Sequence, residues 1–283
     1  MLPKSLISSR PILITGCSSG IGYYVAHGLK KRGYRVFATA RQPKDVARLQ
    51  QEGLESLVLD LNDSQSIIDA VQTVLERTNG RLYGLFNNGG YAQIGAVEDI
   101  ARDVLRQQFE TNFFGTHELI RQILPTMRQQ GEGRIIQNSS MAGIIAIHYM
   151  GAYSASKFAV EGLIDALRLE LAGSGIFVSL IEPWSIAIQA LIKAYPLFKQ
   201  HIDVKNSFHQ KRYVKIEQSL IREKEEETVD PSPEIVFQKL ILALESKHPC
   251  PRYYVRTMAY FLAALKRLLP DMAMDWVLRR ISL

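Results

Sequence analysis

The chain has 283 residues, 47% of them apolar, which is enough to bury one large core. Lysine and arginine exceed the acidic residues by six, an excess that favours anionic ligands but is too small to indicate nucleic acid. Only Cys17 and Cys250 occur, without metal-ligand spacing, which argues against a disulfide framework and a metal site and fits a reducing cytoplasm.

Short apolar runs alternate with longer segments of helical period, the pattern of a parallel sheet covered by helices. The predicted strands are Pro11–Thr15, Arg35–Ala40, Ser56–Asp60, Leu82–Asn87, Arg134–Asn138, Ile176–Glu182 and, as a seventh, Arg252–Val255. The predicted helices are Ile21–Arg32, Ser64–Thr78, Ala101–Gln130 and Tyr153–Ala172. The predicted fold class is α/β: a Rossmann-type doubly wound parallel sheet of about seven strands with a C-terminal substrate-binding extension. Residues 1–283 are expected to form a single domain.

A glycine-rich turn, Thr15–Gly22, separates the first predicted strand from the first predicted helix. Glycines let backbone N–H groups approach a pyrophosphate, and the positive end of the following helix favours its charge. The spacing G-x-x-x-G-x-G therefore predicts a dinucleotide site, with an ordinary strand-to-helix turn as the alternative. The candidate cofactor-binding residues of this turn are Gly16, Ser18, Ser19, Gly20, Ile21 and Gly22.

The second predicted strand is followed by Arg41. An NAD site usually has an acidic residue at this place to hold the ribose 2′-hydroxyl, whereas a guanidinium can grip a 2′-phosphate. The sequence therefore predicts a preference for NADP(H), with NAD(H) as the second choice. The alternative interpretation is that Arg41 is a plain surface arginine.

Four polar residues form the candidate catalytic group: Asn112, Ser140, Tyr153 and Lys157. Tyr153 and Lys157 lie one helical turn apart, so the ammonium is expected to lower the pKa of the phenol and make it a proton donor and acceptor. Ser140 can donate a hydrogen bond to an oxygen on which charge develops. Asn112 lies within a predicted helix, an unusual place for a residue that prefers caps and turns.

The same Tyr-x-x-x-Lys spacing recurs at Tyr195 and Lys199. We favour Tyr153 because it follows a Ser-rich strand end and opens a regular helix, whereas Tyr195 precedes Pro196 in an irregular segment. The alternative for Tyr153 is a buried aromatic residue on a helix.

The segment Ile186–Asp230 breaks the alternation and follows the sixth predicted strand, so it is a candidate substrate lid. Within it, Lys211–Glu227 has balanced charges and is expected to present a solvated helix face. Apolar residues in the segment after Pro183 would line a pocket or simply pack a helix on the sheet. These are Trp184, Ile186, Ile188, Leu191, Ile192, Leu197 and Phe198.

Neither the first ten residues nor any later segment has the apolar length of a signal peptide or a membrane span, so a soluble cytoplasmic protein is expected. The tail, residues 252–283, carries an apolar patch at Met258–Leu265 followed by lysines and arginines, and a peripheral membrane contact through it is a second expectation.

Taken together, these features resemble the short-chain dehydrogenase/reductase family over about residues 11–182. The residues that carry the resemblance are the Thr15–Gly22 turn, Asp60, the Asn87-Asn88-Gly89-Gly90 run, Asn112, Ser140, Tyr153 and Lys157. The tail resembles members that act on retinoids, steroids or long-chain aldehydes.

The resemblance implies an NADP(H)-dependent oxidoreductase that interconverts a carbonyl and an alcohol, here with an apolar small-molecule substrate. It implies that Asp60 contacts the adenine, that Lys157 also holds the nicotinamide ribose, and that Asn112 anchors a water that leads protons to solvent. The further implied cofactor contacts are Leu61, Asn88, Gly90, Tyr153 and Pro183. A homodimer or homotetramer formed through the segments Ala101–Gln130 and Tyr153–Ala172 is also implied.

Three positions depart from the family pattern: Gly89 replaces an alanine, Trp184 replaces a glycine, and Ile188 replaces a threonine. The last two affect how a nicotinamide would be placed. They motivate an alternative, a catalytically silent NADP-binding sensor or scaffold, against which the intact Ser140, Tyr153 and Lys157 argue.

Overall fold

A computed structural model describes residues 10–184, 188–225 and 232–281. Its centre is a sheet of seven parallel strands in the order β3-β2-β1-β4-β5-β6-β7. The strands are β1 Pro11–Ile14, β2 Arg35–Ala40, β3 Glu55–Val58, β4 Gly84–Asn87, β5 Gly133–Asn138, β6 Ile176–Pro183 and β7 Arg252–Val255. All seven coincide with predicted strands to within two residues at either end, so the predicted fold class is confirmed.

Helices connect the strands and cover the sheet. They are α1 Gly20–Arg32, α2 Pro43–Gln51, α3 Ser64–Arg77, α4 Arg102–Phe109, α5 Gly115–Gln130, α6 Gly151–Glu170, α7 Ile188–His201, α8 Gln210–Glu225, α9 Ser232–Glu245, α10 Thr257–Leu268 and α11 Asp271–Ile281. The four predicted helices are present, but α2, α7 and the helices after residue 231 were not predicted, and Pro196 lies inside α7 rather than in an irregular segment. The predicted helix Ala101–Gln130 is divided by a wider π-helical turn at Glu110–Phe114.

Both faces of the sheet are buried, because adjacent side chains of a strand point to opposite faces. Ile12 and Ile14 belong to one apolar cluster together with residues of α1 and α9, whereas Leu13 belongs to a second cluster with residues of α3, α5 and α6. This two-sided burial explains why the strands are continuous apolar runs rather than alternating ones.

Strand β1 lies between β2 and β4, so the order of connection reverses there. In open parallel sheets, ligands bind outside the carboxyl ends of the strands at such a switch point. The glycine-rich turn follows β1 and the Asn-Asn-Gly-Gly run follows β4, and both therefore belong to this edge. None of the helices within the described segments is long and apolar enough to span a bilayer.

Candidate active site

The glycine-rich turn is held by contacts that only glycine permits. Gly16 has a left-handed backbone with φ of +70°, and a Cβ there would lie 2.8 Å from the Cα of Gly89. A Cβ on Gly22 would lie 2.3 Å from the Gly16 carbonyl oxygen. Cys17 N donates to the Thr39 carbonyl oxygen at 2.7 Å and ties the turn to β2. The turn therefore keeps a bare backbone beside the first N–H groups of α1, which have no partner within the helix.

Thr15 joins this turn to the run that follows β4. Its Oγ1 accepts hydrogen bonds from the backbone N–H groups of Asn88 at 2.9 Å and of Gly89 at 2.8 Å. In return, Asn88 Nδ2 donates to the Thr15 carbonyl oxygen at 2.9 Å. The two loops at the switch point are thus one hydrogen-bonded unit.

Asn138, the last residue of β5, extends this unit to the candidate catalytic lysine. Its Nδ2 donates to Asn88 Oδ1 at 3.0 Å, and its carbonyl oxygen accepts a hydrogen bond from Lys157 Nζ at 2.9 Å. Lys157 is buried, and the burial lowers its pKa from 10.5 to about 8, while the negative charge of Glu161 opposes that change. The ammonium is therefore held beside the two loops at the switch point, in an environment that disfavours its charge.

Tyr153 lies in the first turn of α6, one turn before Lys157, with its ring centroid 5.7 Å from Lys157 Nζ. Burial raises the pKa of Tyr153, and a hydrogen bond with Ser140 lowers it in part. The expectation that Lys157 lowers this pKa below its ordinary value was wrong for the protein without cofactor. The reason is that the same burial that disfavours a phenolate also disfavours the ammonium that would stabilise it.

Ser140 lies two residues after the end of β5 and caps a short 3-10 turn, Met141–Gly143, through its Oγ, which accepts from Ala142 N at 3.1 Å. Its hydroxyl hydrogen is still available for a substrate oxygen or for Tyr153. The structure therefore brings Ser140, Tyr153 and Lys157 together, although they come from two elements.

Asn112 occupies the π-helical turn, which explains how an asparagine is accommodated within a long helical segment. Its Oδ1 accepts from Tyr91 N at 3.1 Å, and its Nδ2 donates to the Tyr91 carbonyl oxygen at 3.0 Å and to Ser156 Oγ at 3.1 Å. A Cβ on Gly90 would lie 3.0 Å from Asn112 Oδ1. Asn112 thus fixes the loop after β4 against α6, and its predicted water-anchoring role stays a prediction.

Arg41, Asp60 and Leu61 lie at the same edge of the sheet. Arg41 directly follows β2 and is exposed. The next acidic residue along the sequence is Asp45. Asp60 Oδ1 accepts from Asn62 N at 3.0 Å, so its carboxylate also shapes its own turn.

Leu61 is buried, and its carbonyl oxygen would lie 2.1 Å from a Cβ on Gly115. The helical segment that carries Asn112 therefore runs directly against this loop, and only a glycine at residue 115 permits the approach.

The side chain of Trp184 packs against the C-terminal tail, residues 252–283. Pro183 ends β6, and the next residue, Trp184, donates its backbone N–H to the Val255 carbonyl oxygen at 3.3 Å. The indole packs against a cluster that includes Met141, Leu262 and Met274. The departure at Trp184 is therefore accommodated by the tail helices α10 and α11. Ile186 lies outside the described residues, as do the side chains of Ile188, Leu191 and Ile192.

The predicted lid packs beside Tyr153. Ala194 and Phe198 of α7 and Tyr213 of α8 are buried in one cluster with residues that follow β4, and Tyr153 lies against this cluster. Phe198 therefore packs against α8 and the segment after β4, and not on the sheet as the packing interpretation had it. Helix α8 confirms the predicted helix near Lys211–Glu227, but Tyr213, Ile216 and Leu220 give it a buried face that the charge pattern did not indicate.

The second Tyr-x-x-x-Lys pair forms an ordinary surface contact. Tyr195 donates to Glu217 Oε1, and Lys199 Nζ lies 3.1 Å from the same oxygen. The pair fastens α7 to α8.

A cavity of about 670 Å³ opens beside the start of α6. Much of its wall is apolar, and Arg279 and Asp275 of α11 lie at one side. Its apolar lining includes Ala96, Val97, Ala146, Ile147, Gly151 and Leu278. A volume between about 300 and 1,000 Å³ is usual for small-molecule sites.

Sequence reasoning missed Asn138 and Ser156, and it gave Thr15 no role beyond membership of the glycine-rich turn, although all three connect the candidate residues. Asn138 and Thr15 are polar residues at the carboxyl ends of buried strands, and that position was the signal that could have found them.

Comparisons with known proteins agree with this geometry. The chain matches the family described as short chain dehydrogenase over residues 10–194. It is 39% identical over 273 residues to the uncharacterized oxidoreductase YbbO of Escherichia coli, covering 96% of this chain and 95% of that protein. It is 32% identical over 277 residues to human 17-beta-hydroxysteroid dehydrogenase type 1, covering 92% and 81%. An actinorhodin polyketide ketoreductase variant solved with NADPH matches with a TM-score of 0.69 at 27% identity, covering 90% and 97%.

Proposed function

The chain belongs to the short-chain dehydrogenase family, and from this premise we propose that it interconverts a carbonyl and an alcohol on an apolar substrate with NADP(H), using Tyr153 as acid and base. It is an oxidoreductase of CH–OH or C=O groups that uses a nicotinamide cofactor. The observation that carries the finer proposal is the hydrogen-bonded path from the Thr15–Asn88 unit through Asn138 to Lys157, one helical turn from Tyr153.

The residues present fit a dinucleotide. At Gly16 and Gly22 a side chain would collide with neighbouring backbone, so the backbone between the turn and the run after β4 stays bare. The first turn of α1 contains no acidic residue that would repel a pyrophosphate. We propose Arg41 as the group that grips a 2′-phosphate, with Asp60 at the adenine. Further contacts are proposed for Gly16, Ser18, Ser19, Gly20, Ile21, Gly22, Leu61, Asn88, Gly90 and Pro183.

When bound, the nicotinamide gives or takes the hydride. During reduction, the Tyr153 hydroxyl donates its proton to the carbonyl oxygen as charge develops there, and in the reverse direction the phenolate takes that proton back. Ser140 donates a hydrogen bond to the same oxygen. The Lys157 ammonium stabilises the phenolate once Tyr153 has given up its proton. Asn112 holds the π-helical turn through which, in our proposal, water returns the proton.

The substrate class follows from the cavity beside α6. The apolar part of its lining would contact a lipid-, steroid-, retinoid- or aldehyde-like molecule, and its volume suits a ligand of that size. The similarity to a hydroxysteroid dehydrogenase over most of both chains supports this choice. We propose residues 186–230 as the segment that covers the substrate and residues 252–283 as the extension that completes the pocket.

We propose a single-domain cytoplasmic protein that forms a homodimer or homotetramer. The helices expected at the interface carry large apolar side chains that are exposed in the isolated chain. These are Leu105 on α4 and Phe158 and Leu169 on α6, with Phe114 in the π-helical turn between α4 and α5.

The tail supports one further proposal, contact with an anionic lipid surface. Several large side chains of α10 and α11 are exposed, and the basic residues nearby match anionic headgroups in charge. The exposed residues are Met258, Tyr260, Phe261, Leu268, Met272 and Trp276, and the basic ones are Lys266, Arg267, Arg279 and Arg280. The Arg280 guanidinium lies 3.5 Å from the Trp276 ring centroid, so apolar and basic groups are adjacent.

Sedimentation with phosphatidylserine vesicles tests the lipid proposal. Replacing Met272 and Trp276 together by serine should reduce binding about tenfold. Val58→Ser, which changes an equally apolar exposed residue on β3 at the opposite edge of the sheet, should leave binding unchanged. Wild-type protein that stays in the supernatant would contradict the proposal.

NADPH absorbance, followed with a panel of ketones and aldehydes of increasing apolar length, tests the catalytic proposal. We expect consumption that increases with apolar length. Protein that binds NADPH but consumes none with any member of the panel would instead be a silent sensor or scaffold.

A further inference from the structure

Behind the candidate active site, three carboxyl groups surround one guanidinium. Arg252 of β7 pairs through its Nη1 with Glu161 and with Glu182 Oε1, the latter at 2.6 Å, and through its Nη2 with Asp165. Glu161 and Asp165 are on α6, and Glu182 is on β6. The last strand of the sheet thus supplies the only cation that these three acids share among the described residues.

Two of the three acids are deeply buried. Glu182 is fully buried and Glu161 is 6% exposed, and both contact the same nitrogen of Arg252. Burying two carboxylates beside a single positive charge is unfavourable, because the second anion is both desolvated and repelled. Burial and, after it, the charge of Glu161 raise the pKa of Glu182 from 4.5 to about 8. Burial raises the pKa of Glu161 as well, and its hydrogen bonds with Ser139 and Arg252 oppose that rise, so the two acids compete for the negative charge that Arg252 compensates.

Glu161 lies one helical turn after Lys157, on the side of α6 that faces the Ser140 turn. A Cβ on Gly143 would lie 2.8 Å from Glu161 Cγ and 3.1 Å from the Lys157 carbonyl oxygen. The 3-10 turn that follows Ser140 is therefore packed directly on the Lys157–Glu161 stretch. Since the negative charge of Glu161 opposes the lowering of the Lys157 pKa, the buried acid and the candidate catalytic amine are electrostatically coupled.

We propose that Glu161 is a positioning residue: held in place by Arg252, its carboxylate keeps Lys157 in the ammonium form, while Glu182 holds the proton of the acid pair. This inference rests on the proposed function, in which charged Lys157 stabilises the Tyr153 phenolate. Arg252 acts indirectly, because its positive charge allows Glu161 to remain an anion although it is buried.

The other charged and titratable groups around this cluster do not replace Glu161. Asp165 is shared with Arg168, whose Nη2 lies 3.1 Å from Asp165 Oδ1. Tyr254 of β7 and Arg267 of α10 also lie near this cluster, and Tyr254 is neutral because burial raises its pKa. Among the described residues, Glu161 is thus the acid that supports the Lys157 charge.

The test has two arms, and both start from Glu161→Gln. In the first, the lysine ε-carbon is labelled with ¹³C, and the titration of Lys157 is followed by NMR in the protein without cofactor. We expect the Lys157 midpoint to fall by about one pH unit, because an opposite charge within reach usually contributes that much or more. Asp165→Asn is the matched control, which removes another acid of the same cluster and should move the midpoint far less.

In the second arm, the pH profile of kcat/KM is measured for the same variants. The limb assigned to Lys157 should move to lower pH in Glu161→Gln by the same amount as the NMR midpoint, and Glu161→Asp, which keeps the charge, should restore most of it. An unshifted midpoint in folded Glu161→Gln overturns the inference. If that variant does not fold, an Asp165→Asn variant whose Lys157 midpoint falls by about one pH unit overturns it instead.

The two arms separate the inference from the proposed function. A shifted NMR midpoint without measurable turnover in any variant, wild type included, would support the coupling and contradict the proposed function. Turnover together with an unshifted Lys157 midpoint would support the proposed function and contradict the coupling.

Discussion

Lys157 Nζ donates a 2.9 Å hydrogen bond to the main-chain oxygen of Asn138, and this contact joins helix α6 to the end of a central strand. From Asn138 the hydrogen bonds continue through Asn88 to Thr15 in the glycine-rich turn. The residues proposed for proton transfer and the loops proposed for the cofactor are therefore parts of one polar unit within a largely apolar protein.

Asn88→Ala should disrupt this unit. Its side chain donates to Thr15 and accepts from Asn138, so the change leaves partly buried groups without partners and should cost about 1 to 3 kcal/mol of unfolding free energy. NADPH affinity should fall about tenfold, because the two loops are no longer fixed to each other. Chemical unfolding and fluorescence titration measure the two effects. Asn62→Ala, on a neighbouring exposed turn, is the control, and equal losses in both variants would contradict the prediction.

Arg41→Ala should weaken the binding of NADPH but not that of NADH. A guanidinium on a 2′-phosphate makes strong charge-assisted hydrogen bonds, so NADPH should bind roughly tenfold to a hundredfold more weakly while NADH is little affected. Arg81→Ala removes an exposed arginine at the amino end of the sheet and should alter neither affinity. Wild-type protein that binds NADH more tightly than NADPH would overturn the assigned preference.

Glu182→Gln should change how stability depends on pH. In the folded chain the pKa of Glu182 is raised from 4.5 to about 8, so the folded state holds a proton that the unfolded state loses across this window. The contribution of Glu182 to the free energy of unfolding is complete below about pH 4.5. It is lost as pH rises to 8, by up to about 1 kcal/mol per pH unit.

Glutamine is neutral throughout, so the Tm of the variant relative to wild type should increase between pH 5 and pH 8.5. Thermal unfolding at several pH values measures this difference. Glu76→Gln, on an exposed face of α3, should give a constant difference. A constant difference for Glu182→Gln as well would contradict the raised pKa.

Phe158→Glu tests the proposed assembly. Phe158 is 43% exposed on α6 in the single chain, and a charge buried at a helix interface without a partner is strongly unfavourable. We expect the variant to elute as a monomer in size-exclusion chromatography with light scattering, whereas Tyr24→Glu, equally exposed on α1, should not change the assembly. A wild-type protein that is already monomeric would refute the oligomer proposal.

Local patterns predicted the sheet well, because strands covered on both faces are continuous apolar runs. Helix α2 was missed since only Val46 and Leu49 of its nine residues are buried, which leaves no clear periodicity. Helix α9 was missed for the opposite reason: its apolar residues at 240–244 are consecutive and hide the helical period.

The candidate site was predicted where its residues are close in sequence or follow strand ends. Ser140, Tyr153 and Lys157 do come together. The direction in which the Tyr153 pKa shifts could not be predicted, because its desolvation depends on packing by segments that are distant in sequence. The Arg252 cluster was also missed, since Arg252 is 70 and 91 residues from Glu182 and Glu161 and no local pattern connects them.

The central claim concerns the Tyr153 hydroxyl, and Tyr153→Phe removes it while keeping the ring. The decisive measurement is a single turnover with prebound NADPH and an apolar aldehyde, together with the NADPH dissociation constant of both proteins. The account predicts a rate that falls by a factor of about 10² to 10⁴ with NADPH affinity nearly unchanged. A variant that oxidises NADPH as fast as wild type would contradict it.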